Sequence, residues 1–223
     1  ELTVPSTGAE TSISIFMASR TTRVSPALTV SPTLHSTLKM LPGMVVINPC
    51  DYNQTKAATL AIADYVGPVY LRFGRPKVPI FIPEDQPFEI GKALRLTEGR
   101  DVTIVATGHL VWEALKAAEV LEGRGISAEV IDMHTIKPLD TELVLKAAKE
   151  TGAIVTSEEA NVMGGLGAAV SEFLSETYPI PVVRHGVNDE FGRSGKAPQV
   201  LEAYGITAEG IVEKAKKAIA MKK

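Results

Sequence analysis

Residues 101–133, DVTIVATGHLVWEALKAAEVLEGRGISAEVIDM, decide the fold class of this chain. The apolar runs 102–107 and 128–133 have the length and the β-branched content of buried strands. Between them, apolar side chains recur at helical spacing over residues 111–122. A strand, a helix and a second strand in this order predict a parallel sheet with helices packed on both faces.

The same alternation continues to the end of the chain. Further strands are predicted at 153–157 and 181–186, and further helices at 140–149, 167–177, 197–204 and 208–221. Asp140 and Thr207 are typical N-caps for two of these helices, and Gly152 is a typical C-terminal stop. We therefore predict one compact α/β domain over residues 89–223.

Three shorter segments precede this domain. Residues 39–75 contain a strand at 44–48, an alanine-rich helix at 53–65 and a strand at 69–73, too little for a whole domain. Residues 76–88 hold four prolines and are typical of an extended linker. Residues 1–38 contain fifteen Ser or Thr and no Lys, and without apolar periodicity they are predicted to be irregular.

Composition excludes several functional classes. The 223 residues carry a net charge of −3, which argues against a nucleic-acid-binding surface. Cys50 is the single cysteine, so the chain forms no internal disulfide and no paired-cysteine metal site. Apolar runs of membrane length and a secretory leader are absent from the sequence, which predicts a cytoplasmic protein without a membrane partner.

Polar residues just beyond predicted strands are the first candidates for chemistry, because open α/β sheets bind ligands at the carboxyl ends of their strands. Asp51 follows the strand 44–48 and opens a helix. It is a candidate for contact with a polar substrate. The alternative is that Asp51 caps the helix and Gln54, three residues on, completes a capping box. Both interpretations stay open at this point.

A second candidate is the cluster of cations after the strand 69–73. Arg72, Arg75 and Lys77 could together hold a phosphate, because guanidinium groups bind phosphate oxygens in pairs. The alternative is a solvated cluster that balances the charges of Asp51 and Asp64.

A third candidate is the glycine-rich loop at 163–167, between a strand and a helix. Such glycines allow backbone amides to approach an anion, but close packing of strand and helix explains them equally well. Glu158 and Glu159 lie at the preceding strand end and are predicted to point apart. Cys50 is predicted to be a small core residue rather than a nucleophile.

Five motifs in series resemble one known family. They are LPGMVVINPCD (41–51), GPVYLRFGRPKVP (67–79), HTIKPLD (134–140), EEANVMGGLGAAVSE (158–172) and GVNDEFGRSG (186–195). Together they resemble the C-terminal half of a transketolase, and most closely the separately encoded C-terminal section. The resemblance runs from about Leu38 to Lys223.

The resemblance implies a thiamine-diphosphate enzyme that transfers two-carbon ketol units between sugar phosphates. In that family, the diphosphate-binding domain carries a GDG motif and a later Asn, which together hold the Mg²⁺, and no GDG occurs in this chain. The resemblance therefore implies a partner, the N-terminal section, in a homo- or hetero-oligomer, and a chain that is inactive alone. Residues 39–75 match the end of the pyrimidine-binding domain, and residues 89–223 match the C-terminal domain, which contributes to the dimer interface.

The resemblance assigns a substrate-binding role to few residues of this chain. Asp51 resembles the aspartate that meets a substrate hydroxyl, and Arg75 resembles the arginine that binds the sugar phosphate. Gly164, Gly165 and Gly167 match structural glycines. The family's catalytic glutamate has no counterpart in this chain, so the resemblance assigns no catalytic residue, cofactor-binding residue or metal ligand here.

Residues 1–38 do not match the family. Where the family has a GxDGxTH motif, residues 22–40 read TRVSPALTVSPTLHSTLKM. We hypothesise that residues up to about 37 are translated in the wrong frame, because synonymous codons for residues 19–33 can spell SHDAGVTGPDGVTH in a neighbouring frame. On that hypothesis His35 is not the family's substrate histidine. Sequencing the gene and translating all three frames tests it.

Two alternative functions are compatible with this architecture. The beta subunit of 2-oxo acid dehydrogenases and 1-deoxyxylulose-5-phosphate synthase have the same arrangement of domains, although the PCD segment and Arg75 favour transketolase. The alternative of another class is a non-catalytic module in which residues 89–223 serve only dimerisation.

Overall fold

Two β-sheets form the framework of the structure, a computed structural model that describes residues 17–18, 40–74, 77–193 and 195–222. The strands are β1 (Met17–Ala18), β2 (Val45–Ile47), β3 (Gly67–Leu71), β4 (Leu94–Thr97), β5 (Val102–Ala106), β6 (Ala128–Asp132), β7 (Thr135–Lys137), β8 (Ile154–Asn161) and β9 (Val182–Val187). The helices are α1 (Tyr52–Ala63), α2 (Leu110–Glu122), α3 (Thr141–Thr151), α4 (Leu166–Thr177), α5 (Ala197–Ala203) and α6 (Ala208–Ala220).

The larger sheet has five strands in the order β4-β6-β5-β8-β9. Strands β6, β5, β8 and β9 are parallel, which confirms the predicted α/β class with a parallel sheet. The edge strand β4 runs antiparallel to β6 and was not predicted. Its four residues are only half-buried, and its Arg95 forms an ion pair with Glu129 of β6, so the segment has no continuous apolar run.

Helices cover both faces of this sheet. Along β5, Val102, Ile104 and Ala106 pack towards α2 and α6, whereas Val105 packs towards α3 and α4. This alternation follows from the two-residue period of a strand. Because both faces are buried, the central strand β5 is apolar at four of its five positions.

The smaller sheet has the strand order β1-β3-β2-β7. β2 and β3 are parallel and are connected by α1, as predicted. β7 lies beyond the linker in the chain and nevertheless pairs antiparallel with β2, where Val46 is opposite Lys137. The C-terminal part of the chain therefore contributes a strand to the sheet of the first part, a connection that the sequence pattern did not predict.

Several predicted helix boundaries are confirmed. The Asp140 carboxylate accepts a hydrogen bond from the Leu143 amide, and Gly152 ends α3 with a left-handed φ of 69°. The Thr207 hydroxyl accepts from the Gly210 amide at the start of α6. Within the described residues, none of the helices has the length and apolar character needed to cross a membrane.

Candidate functional site at the junction of the two sheets

The carboxyl ends of β2 and β3 face the carboxyl ends of β5, β6 and β8. Asn48, which follows β2, accepts a hydrogen bond from the Gly108 amide beyond β5 at 3.1 Å, and its own amide donates to the His134 carbonyl at 2.8 Å. Gly108 has a φ of 61°, and a Cβ atom there would lie 2.7 Å from the Asn48 side chain. Only glycine permits this approach, so the two sheet edges are in direct contact.

Side chains of the first unit fill the crevice where an open α/β sheet usually binds its ligand. At the end of β6, Asp132 is fully buried, and the Gln54 side-chain amide from α1 donates a hydrogen bond to its Oδ2. Cys50 Sγ lies 3.6 Å from the same oxygen. The crevice of the larger sheet is therefore occupied by the chain itself.

Burial alters the protonation chemistry of this cluster. Loss of solvation raises the pKa of Asp132 to about 7, and the nearby Asp51 carboxylate adds to that shift. Burial also raises the pKa of the Cys50 thiol, with Asp132 and Asp51 as further causes. An un-ionised, buried thiol is a poor nucleophile, in agreement with the predicted core role of Cys50.

The end of β3 is tied to the end of β8 by a second cluster. The Arg72 guanidinium donates to the Glu159 carbonyl at 2.7 Å and lies 3.4 Å from the Glu159 carboxylate. His109 Nδ1 is 3.3 Å from the same carboxylate. The Arg72 side chain is only 5% exposed, so it points into the junction and not towards a solvent-borne phosphate.

The structure describes two of the three cations in the predicted cluster, Arg72 and Lys77. Arg72 is paired with Glu159, and Lys77 is exposed. Arg75 lies outside the described residues. Its assignment to a sugar phosphate stays a prediction.

Asp51 caps α1 and anchors the linker. Its Oδ1 accepts from the Gln54 amide at 2.9 Å, and its Oδ2 accepts from the amides of Phe81 and Ile82 at 2.9 and 2.8 Å. Gln54 Oε1 accepts in return from the Cys50 amide, one residue earlier than in a standard capping box. The capping interpretation of Asp51 is confirmed, and its contact with a substrate hydroxyl stays a prediction.

The backbone amides beside the glycine-rich loop, at the N-terminus of α4, do bind an anionic group. This group is a carboxylate of the same chain. The Glu158 carboxylate accepts hydrogen bonds from the amides of Leu166 and Gly167, both at 2.8 Å. A Cβ atom on Gly165 would overlap the Glu158 carboxylate, and one on Gly167 would lie 2.7 Å from Arg184. Close packing therefore explains these glycines, and Glu158 and Glu159 point apart as predicted.

Sequence reasoning missed two residues of the junction, Asp132 and His109, and it did not predict the ion pair of Glu159. Asp132 carried a usable signal, because an acidic residue at the end of an otherwise apolar strand lies where ligands and buried polar clusters occur. His109 follows β5 in the same way. Their partners are distant in sequence, so the pairing itself was not predictable.

The described residues do not fit a diphosphate–Mg²⁺ site of their own. Within them, His, Cys, Asp and Glu side chains do not gather in any group of three that could hold a metal ion. The amides at the N-terminus of α4, which would suit a phosphate, are bound to Glu158.

Comparison with known proteins gives a consistent result. Residues 91–211 match the family model "Transketolase, C-terminal domain". The chain is 48% identical over 180 residues to the 6-deoxy-6-sulfo-D-fructose transketolase subunit SqwH of Clostridium sp. (strain MSTE9), covering 81% of this chain and 56% of that protein. It is 45% identical over 180 residues to a putative transketolase C-terminal section of Methanocaldococcus jannaschii, covering 79% of this chain and 56% of that protein.

A solved structure has the same fold. A split-gene transketolase, described as an inactive β4 tetramer, superposes with a TM-score of 0.81 at 48% identity, covering 84% of this chain and 61% of that one. The chain spans about half the length of the curated relatives it matches. The resemblance seen in the five sequence motifs is confirmed: this chain belongs to the transketolase family and carries the family's C-terminal domain.

Proposed function

We propose that this chain acts as the C-terminal section of a split transketolase, which transfers two-carbon ketol units between sugar phosphates with thiamine diphosphate and Mg²⁺. The observation that carries the proposal is the 48% identity, over four-fifths of this chain, to a separate transketolase subunit. Because the described residues do not fit a diphosphate–Mg²⁺ site, a partner N-terminal section would supply it. When bound, the cofactor supplies the carbanion chemistry of ketol transfer.

Within this assignment, residues 39–75 are the end of a pyrimidine-binding domain, 76–88 the linker and 89–223 the C-terminal domain. The contact between the two sheet edges supports a rigid connection between these parts. The chain would work in the cytoplasm as part of a homo- or hetero-oligomer. The solved relative is itself described as an inactive tetramer of its β chain, which supports the expectation that this chain is inactive alone.

This chain's own contribution to the reaction is substrate binding. Asp51 lies beyond the carboxyl end of β2, and the family resemblance assigns it to a substrate hydroxyl. In this structure it is 3% exposed, and both of its carboxylate oxygens accept bonds from backbone amides. Arg75 follows β3 by four positions and would bind the phosphate of the sugar.

The test is reconstitution. The purified chain is mixed with the candidate N-terminal section, thiamine diphosphate and Mg²⁺, and ketol transfer between sugar phosphates is followed. We expect turnover only in the mixture. Turnover by the chain alone, or formation of 1-deoxyxylulose 5-phosphate from pyruvate and a triose phosphate, would contradict the proposal.

Arg75→Ala tests the phosphate contact in the reconstituted enzyme. Loss of a charged hydrogen bond should raise KM for phosphorylated sugars by the equivalent of about 1.5–3 kcal/mol. Lys216→Ala, at an exposed cation of α6 that pairs with Glu213, is the control and should leave KM nearly unchanged. An unchanged KM in the Arg75 variant would remove that residue from the site.

The filled crevice of the larger sheet favours a second candidate, a non-catalytic dimerisation module. Gln54 and Cys50 occupy the place where that sheet would otherwise bind a ligand. Stable association with the N-terminal section without any ketol transfer, under conditions where the cofactor binds, would support this candidate over the first.

A further inference from the structure

A cleft with a volume of about 450 Å³ lies between α2 and the loops at the amino ends of β5 and β6. Trp112, Leu115 and Ala118 form a stripe of α2 along it, and Ile126 and Ala128 line it at the start of β6. Sites for small molecules have volumes in this range and are likewise built around apolar side chains. The residues that line this cleft lie outside the junction of the two sheets, so it is a separate feature of the fold.

The rest of the domain holds the walls of the cleft in place. The Asp101 carboxylate accepts a hydrogen bond from the Ser127 amide at 2.7 Å, and the Asp101 amide donates to the Ser127 carbonyl at 2.8 Å. A Cβ atom on Gly99 would overlap the backbone of β6, so the loop before β5 lies directly against that strand. The Trp112 ring packs against Phe81, with 5.6 Å between the ring centroids. The cleft is therefore formed before a ligand enters, which lowers the entropic cost of binding.

Negative charge predominates at the rim of the cleft. The rim carries the exposed carboxylates of Glu98, Glu119 and Glu122 and one guanidinium, that of Arg100. Glu119 and Glu122 lie on the same side of α2 as Trp112, because residues three, four and seven positions apart share one face of a helix. Within the part of the chain that the structure describes, ion pairs involve neither of these two glutamates. An excess of carboxylates thus lies beside an aromatic ring and an apolar floor.

We propose that this cleft binds a small organic cation with an apolar or aromatic body, such as an alkylammonium or aralkylammonium ion. The apolar body lies against Leu115 and Ala118, where it is removed from water. The ammonium group lies near the Trp112 indole and the carboxylates of Glu119 and Glu122, since an indole face attracts cations. An anion of the same size would face like charges, and a neutral molecule would gain only the apolar contact. Charge complementarity therefore selects the cation.

The experiment uses Trp112 as the reporter. It is the chain's single tryptophan, so its fluorescence and its indole N–H resonance report on this cleft. The purified chain is titrated at pH 7 with benzylammonium, benzyl alcohol and benzoate, which share one ring and differ in charge. We expect a saturable change with benzylammonium, and an affinity roughly three- to thirtyfold higher than for benzyl alcohol, from a cation–π contact and an exposed ion pair. Benzoate should bind most weakly of the three.

A double variant, Glu119→Gln with Glu122→Gln, tests the role of the carboxylates. It should lower the affinity for benzylammonium by roughly two- to fivefold and leave the affinity for benzyl alcohol nearly unchanged. Glu172→Gln with Glu176→Gln is the matched control, because these two exposed glutamates of α4 lie outside the lining of the cleft. The control variant should bind all three probes like the wild type.

Three results would overturn the proposal. A change in the Trp112 signals that rises with benzylammonium without saturation would show collision in place of binding. Tighter binding of benzoate or benzyl alcohol than of benzylammonium would show that the cleft does not select a cation. Unchanged affinity for benzylammonium in the Glu119 and Glu122 double variant would show that these carboxylates do not recognise it.

Discussion

Both carboxylate oxygens of Asp51 bind backbone amides, one in α1 and the other in the linker. The residue is 3% exposed, so these amides have no water to replace the carboxylate if it is removed. A helix cap on the surface stabilises its helix by about 1 kcal/mol, whereas a buried donor left without a partner costs a further 1–3 kcal/mol or so. Asp51 is therefore a stability determinant whatever it does for a substrate.

Asp51→Ala should lower the free energy of unfolding by roughly 2–4 kcal/mol, because it removes the cap and leaves three amides unpaired. Asp64→Asn, at the exposed end of the same helix, is the control and should change stability by less than about 0.5 kcal/mol. Urea unfolding followed by circular dichroism measures both. A stable Asp51→Ala protein would contradict the capping role.

Two buried groups should give the stability of the chain opposite pH slopes. Burial lowers the pKa of His134 from its ordinary 6.5 to about 4, so its contribution is present above pH 6.5 and is lost as the pH falls towards 4. Burial raises the pKa of Asp132 from 3.8 to about 7, so its contribution is present below pH 3.8 and is lost as the pH rises towards 7. Between about pH 4 and 6.5 the two slopes oppose each other.

Single variants should reveal each slope. In Asp132→Asn the free energy of unfolding should fall more steeply on acidification below pH 6.5 than in the wild type. In His134→Phe, where an aromatic ring can still pack against Phe88, it should instead fall as the pH rises from 4 to 7. Urea unfolding at a series of pH values measures both curves. Parallel curves for the two variants would show that these groups do not set the pH dependence.

At the scale of elements, the glycine-rich loop before α4 allows this helix to pack closely against β8. The backbone amides at the N-terminus of α4 bind the Glu158 carboxylate of β8. The absence of a side chain at Gly165 allows this close approach. The glycine-rich motif and the acidic pair before it are therefore parts of one arrangement, an internal cap supplied by the preceding strand. The arrangement explains why this helix needs no capping side chain of its own.

Gly165→Ala should lower the free energy of unfolding by about 2 kcal/mol or more, because its Cβ would displace the Glu158 carboxylate from its two amides. Gly192→Ala is the matched control, since a Cβ atom there would have no neighbour within 4 Å and its φ is not positive. Chemical unfolding of both variants is the measurement. A neutral Gly165→Ala variant would contradict the internal cap.

In the molecule as a whole, contacts between residues distant in sequence join the two sheets. β7 extends the smaller sheet with a strand from the C-terminal part, and Arg72 reaches across to Glu159 of β8. Arg72 is nearly buried, so its pair with Glu159 is screened little by solvent, in contrast to exposed pairs on the surface.

A double-mutant cycle of Arg72→Met and Glu159→Gln measures this connection. We expect a coupling free energy of about 1–3 kcal/mol. The exposed pair of Lys56 and Glu84, which joins α1 to the linker, is the control and should show a much weaker coupling, because solvent screens it. Additive effects of the Arg72 and Glu159 changes would show that the pair does not hold the junction.

Features encoded by residues close together in the chain could be predicted from the sequence: the apolar period of α2, the caps of α3 and α6, and the parallel strands of the larger sheet. The family resemblance came from short motifs in order along the chain. The tertiary structure alone decided that β7 joins the other sheet, that Arg72 turns to Glu159 and that Asp132 is enclosed by Gln54 and Cys50. These contacts join residues about 80 or more positions apart, and only the packed fold brings such residues together.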